Sequence, residues 1–156
     1  MAATQFPEIP KAAADLAVHS HLADYESVRR LFTWDTMRRE LGVVAGGFVN
    51  IAYAAVDRHL PTPVGDRVAL RFVSRNAAPR DVTYLELARR TNRFANVLRT
   101  LGVGRGDHVF VLAGRVPEFY TAVLGALKNG SVVIPCSSGL GMESVRARLA
   151  ASEAGV

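Results

Sequence analysis

From Thr83 onward, apolar residues recur at helical spacing, then in a short unbroken run, then at helical spacing again, and this alternation sets the reading of the chain. Leu87, Thr91, Phe94, Leu98 and Leu101 fall on one stripe, with Ala88 and Ala95 beside it and Arg89, Arg90 and Arg93 opposite. Thr83 and Glu86, three residues apart, form a capping box at the start of this helix, and Gly102 stands where a left-handed C-cap belongs. His108 to Ala113 is a short apolar run that suits a parallel strand covered on both faces. A helix from Pro117 to Lys128 follows, apolar nearly all round and therefore expected to be buried, with Pro117 in its first turn and Gly130 at its end. Val132, Val133 and Ile134 make the next strand, and Cys136 to Gly141 reads as a loop. Met142, Val145 and Leu149 mark the buried face of a last helix.

Upstream, Val68, Leu70 and Phe72 alternate with Ala69 and Arg71, which predicts a strand from Asp66, followed by a connection through Asn76 and Pro79. Asn50 can cap a short helix that runs through His59 and is ended by Pro61 and Pro63. Tyr25 to Leu41 reads as one helix, and residues 1–23 show no sustained period. The predicted order is α/β: an incomplete doubly wound parallel sheet with helices on both faces, preceded by a helical N-terminal arm. The expected division is a flexible arm at 1–23, a helical extension at 24–65 and the first part of an α/β domain at 66–156. Gly155-Val156 is where a further strand would begin, leaving an open sheet edge through which the chain could self-associate.

A hydrophobic content of 49% over 156 residues fits a chain with a real core. No apolar run approaches a membrane span, there is no apolar signal-peptide core, and Cys136 is the single cysteine, all of which point to the cytoplasm. The net charge of +5 comes from scattered arginines without interleaved aromatic residues, so nucleic acid is not the expected partner. Gly102-Val103-Gly104-Arg105-Gly106 follows a helix and precedes a strand, the reverse of a dinucleotide fingerprint, and reads as a C-cap and turn. His19 and His21 lack further metal ligands nearby, and Cys136 lacks a base that sequence can place beside it. The candidate binding residues are Ser137, Ser138 and Gly139, which follow the carboxyl end of a parallel strand, where open α/β sheets take ligands.

Gly46-Gly47-Phe48-Val49-Asn50-Ile51-Ala52-Tyr53 and Val56-Asp57-Arg58-His59 come first in an order of motifs that resembles the AMP-forming acyl-CoA synthetases, the signature of the acetyl-CoA synthetase branch above all. Val82-Thr83-Tyr84, Glu86-Leu87, Asn92-Arg93, Ala95-Asn96-Val97-Leu98, Leu101-Gly102-Val103, Gly106-Asp107-His108-Val109 and Pro117-Glu118 follow in the family's order. The resemblance covers about residues 43 to 154 and implies the first portion of a longer chain. It implies ATP, Mg2+ and coenzyme A as cofactors of the complete enzyme, a carboxylate as its substrate and an acyl-adenylate as its intermediate. It places coenzyme A at the loop matched by Ser137, Ser138 and Gly139, where this sequence keeps only Gly139 of the branch's aromatic and paired glycines. Ile134-Pro135 and the Leu149 neighbourhood also look like medium-chain acyl-CoA synthetases. The family's phosphate loop, adenine motif, ribose-binding aspartate and catalytic lysine have no counterpart here, so the chain alone is expected to be inactive and to hold no cofactor tightly. The other reading is a free-standing binding or interaction module on half of this fold.

Overall fold

The computed structural model describes residues 24–43, 47, 49–75 and 77–152. The 1–23 arm with its His19 and His21, and the start of a further strand at 155–156, lie outside the described residues. Two compact units divide between Glu40 and Leu41, so residues 41–65 pack in one unit with the α/β elements.

The first unit holds α1 (Tyr25–Leu31) and α2 (Trp34–Glu40), where the sequence predicted one helix. Asp24 caps α1 by accepting from the Ser27 amide at 3.0 Å. Phe32 is extended, at φ −64° and ψ 127°, and the Thr33 hydroxyl accepts from the Thr36 amide at 3.1 Å. That second cap starts a new helix and explains the break. None of the residues of α1 or α2 is buried.

The second unit opens with α3 (Ile51–Ala55), capped by Asn50 as predicted, and a 3-10 turn at Asp57–His59. β1 (Val68–Phe72) then pairs with β2 (Arg80–Thr83) in an antiparallel ladder, with Leu70 opposite Val82 and Phe72 opposite Arg80. This corrects the expectation that the first strand joins the parallel sheet. The turn from β1 returns the chain directly, whereas a parallel partner needs a crossover. Arg71 and Asp81 face each other across the ladder, and the guanidinium donates to both carboxylate oxygens at 2.7 Å.

Thr83 ends β2 and caps α4 (Tyr84–Thr100), with both halves of the capping box formed. Gly102, at φ 81°, takes the left-handed C-cap conformation. β3 (His108–Ala113), α5 (Pro117–Asn129) and β4 (Val132–Ser137) form one parallel crossover, in register from His108 beside Val132 to Ala113 beside Ser137. Strand β4 therefore takes in Cys136 and Ser137, which the sequence reading gave to the loop.

Leu98, Val103, Val109, Val111 and Ala126 make the core over this crossover, and Val56, Val82, Leu87 and Ala88 make a second cluster under the β1–β2 ladder. A side chain such as Leu98, 2% exposed, contributes about 2 kcal/mol through burial. Helices α4 and α5 cross where Gly125 meets Phe94 and the Thr91 carbonyl. Most of α5 is half-buried; only Gly125 and Ala126 are fully buried. In α6 (Met142–Ser152) no residue is buried, and Met142 is 70% exposed, so the face predicted to be covered stands open among the described residues.

Candidate functional site

Parallel strands place their outgoing loops side by side, and the register of Ala113 with Ser137 brings the loop after β3 against the loop after β4. Between them lies an open cleft of about 470 Å³, lined by Gly114, Arg115, Phe119, Tyr120, Ser137 and Ser138 among others. Its size is that of a small-molecule site. Pro117 at the first position of α5 fixes the helix start, and the Phe119 amide donates to the Val116 carbonyl at 3.1 Å. Phe119 and Tyr120 meet edge to face at 5.5 Å, and Tyr120 meets Phe72 of β1 at 5.8 Å, which anchors the aromatic wall.

Ser137 and Ser138 line this cleft, as their place after a strand implies, but Gly139 does not. Its amide donates to the Ser137 hydroxyl at 3.3 Å, and a Cβ there would sit 3.7 Å from the same oxygen, an ordinary contact. Sequence reasoning missed Arg115, in the connection from β3 to α5, and Tyr120, in the first turn of α5. Cys136 is buried in the cleft wall, and no histidine lines it: His59 packs on Tyr84 at 5.3 Å, and His108 stands at the opposite end of β3. The cleft thus offers a guanidinium, hydroxyls and aromatic faces, and among the described residues that line it no nucleophile has a histidine base beside it. Among the described residues no group of three or more His, Cys, Asp or Glu converges for a metal.

A second constellation lies at the far end of α5. Asn50 accepts from the Tyr53 amide at 3.1 Å and donates to the carbonyls of Leu127 and Lys128 at 3.1 and 3.2 Å, so one side chain caps the start of α3 and the end of α5. Lys128 donates to Asp57 at 2.9 Å and to Asn92 at 2.8 Å, with the Lys128 and Asp57 side chains only 15% and 20% exposed. Asn129 donates to the Val103 carbonyl and to Ser131, whose hydroxyl donates to the Gly104 carbonyl. Cavities of about 410 and 350 Å³ flank Asn50. The hydrogen-bonding side chains along them, Asn50, Lys128, Asn129 and Ser131, are already partnered, which marks this end as a tie and leaves the cleft as the candidate site.

Comparison with known proteins places this architecture. A family profile described as AMP-binding enzyme matches residues 57–156. The chain belongs to that family. It is 36% identical over 149 residues to an acetyl-coenzyme A synthetase of Bacillus subtilis, a match covering 94% of this chain and 26% of the relative. It is 34% identical over 125 residues to a 3-hydroxypropionyl-coenzyme A synthetase of Metallosphaera sedula, covering 78% of this chain and 19% of that one. Among solved structures, an acyl-CoA synthetase of Brucella canis superposes with a TM-score of 0.68 at 26% identity, over 83% of this chain and 23% of that chain. The N-terminal subdomain of Klebsiella oxytoca NpsA does so with 0.56 at 31% identity, over 68% and 26%. The chain therefore spans between about a fifth and a quarter of the length of these relatives. No described helix is long and apolar enough to cross a membrane.

Proposed function

We propose that this chain is the N-terminal portion of a cytoplasmic, ATP-dependent, AMP-forming acyl-CoA synthetase that converts acetate or another short- or medium-chain carboxylate to its thioester through an acyl-adenylate. Residues 66–156 are the first part of its adenylate-forming domain. They supply scaffold and one wall of the coenzyme A entrance at Ser137, Ser138 and Gly139. The observation that carries this reading is the 36% identity to an acetyl-coenzyme A synthetase over nearly the whole chain. The position of the cleft, beyond the carboxyl ends of two parallel strands, supports it. Adenylation needs cations that converge on a triphosphate in line with the attacking carboxylate, and the cleft's own groups are suited to holding a ligand. The relatives quoted above are synthetases, which favours this reading over a free-standing module.

The test is a chimera in which this chain replaces the matching quarter of the Bacillus subtilis enzyme. The chain alone should catalyse no ATP–pyrophosphate exchange with acetate, propionate or butyrate, while the chimera should catalyse exchange and thioester formation. Ser138→Trp is the blocking variant, because Ser138 lines the cleft and Gly139 does not. It should raise the KM for coenzyme A and leave exchange nearly intact. Exchange by the chain alone, or equal loss of both half-reactions in the variant, would overturn the proposal.

A further inference from the structure

Most charged side chains near the ends of α5 are already engaged. Lys128 is held by Asp57 and Asn92, and Glu118 faces Arg80 at 4.0 Å. Arg115 differs. It is exposed at the rim of the cleft, no carboxylate lines the cleft with it, and among the described residues no hydrogen bond or ion pair engages it. The Ser138 hydroxyl, in the same cleft, also lacks a protein partner among the described residues.

An unpaired guanidinium is a specific instrument. Its planar fork donates two parallel hydrogen bonds to a phosphate or carboxylate, and it keeps its charge at any working pH. The positive end of α5, which begins two residues later at Pro117, adds to the same potential. The aromatic wall of Phe119 and Tyr120 gives a flat apolar ligand part a surface beside that charge. Charge at the rim, a hydroxyl beside it and aromatic faces within about 470 Å³ match the parts of an adenine nucleotide.

Resting on the function proposed above, we infer that Arg115 is the phosphate-reading residue of this cleft and grips a phosphate ester of an adenine nucleotide. Coenzyme A and ATP both carry that chemistry. The experiment titrates the 156-residue chain with adenosine 3′,5′-bisphosphate, ATP and plain adenosine, following the amide resonances of Gly114, Ser137 and Ser138. One or both phosphorylated probes should move these resonances, and R115Q should weaken that binding about tenfold while leaving adenosine unchanged. Loss confined to the bisphosphate identifies coenzyme A as the source, loss confined to ATP identifies ATP, and loss of both shows that the residue reads phosphate in either. Affinities within twofold in R115Q, or no movement of the cleft amides at millimolar probe, would overturn the inference. In the chimera, R115Q should raise the KM for the same nucleotide about tenfold with kcat unchanged. An active chimera with that KM unmoved sinks Arg115 and leaves the proposed function standing. An inert chimera whose chain still binds nucleotide through Arg115 does the reverse.

Discussion

Replacing Asn50 by alanine should destabilise the second unit by about 2 kcal/mol, and the figure can be built bond by bond. The side chain makes three hydrogen bonds, one from the Tyr53 amide and two to the carbonyls that end α5. Loss of a helix cap costs about 1 kcal/mol, and each of the two others contributes about 1 kcal/mol net. Two circumstances reduce the sum from about 3 to about 2 kcal/mol. The Leu127 carbonyl keeps a second donor, the Gly130 amide at 3.1 Å, and the flanking cavities of about 410 and 350 Å³ let water reach what is freed. Urea unfolding followed by circular dichroism reads the difference, and the midpoint of thermal unfolding should fall by roughly 6–12 °C. Asn50→Ser separates the two roles: serine caps α3 as well as asparagine does but cannot reach α5, so it should lose about 1 kcal/mol. An alanine variant within about 0.5 kcal/mol of the parent would refute the tie. A serine variant as unstable as alanine would show that the α5 carbonyls carry all of the effect.

Lys128→Met should cost about 2 kcal/mol by stranding the Asp57 carboxylate, while adding Asp57→Asn should restore part of it; a double-mutant cycle with coupling below about 0.5 kcal/mol would show that the pair is inert. Gly125→Ala should destabilise by about 1 to 3 kcal/mol despite alanine's better helix propensity, because its Cβ would lie 2.9 Å from Phe94 Cβ and 3.0 Å from the Thr91 carbonyl oxygen; a more stable variant would refute the close crossing. Hydrogen bonding from Arg71 holds the Asp81 carboxyl below its ordinary value of 3.8. Its contribution is therefore complete above 3.8 and disappears as pH falls through the lower folded value, so Asp81→Asn should narrow the gap to the parent in acid; a gap that widens on acidification would reverse the sign.

The boundaries that the sequence discloses depend on one residue or on residues three apart. Thr83 with Glu86, Gly102, Pro117 and Gly130 each carry their own local geometry, and each stands where its type requires. The features it conceals depend on partners far along the chain. β2 is four residues long with two charges, and only its pairing with β1 makes it a strand. Asn50 reads as a cap for α3, while its second task lies 77 residues away. Lys128 left one sign, a charge in the last turn of a mostly apolar helix, whose meaning needs Asp57 and Asn92 in place. The cleft was half legible: Ser137 and Ser138 follow from their strand end, but Arg115 and Tyr120 arrive through the register of β3 on β4. For α6, the 3,4 spacing of Met142, Val145 and Leu149 describes a face, and the described residues fully bury none of it.

The described signature residues around Asn50 and Asp57 do their work at the end of α5 away from the cleft. Asn50 closes the last turn of that helix, Asp57 holds Lys128 in its last turn, and Val56 packs into the cluster beneath the β1–β2 ladder. These contacts fix where α5 ends, and a 13-residue helix fixed at one end has its other end placed about 20 Å away. That other end carries Arg115, Phe119 and Tyr120 into the cleft. The described motif residues thus position the cleft wall through the length of a rigid helix. Their physical role is to set the geometry of a cleft built from residues on the opposite side of the crossover, at the far end of the same helix.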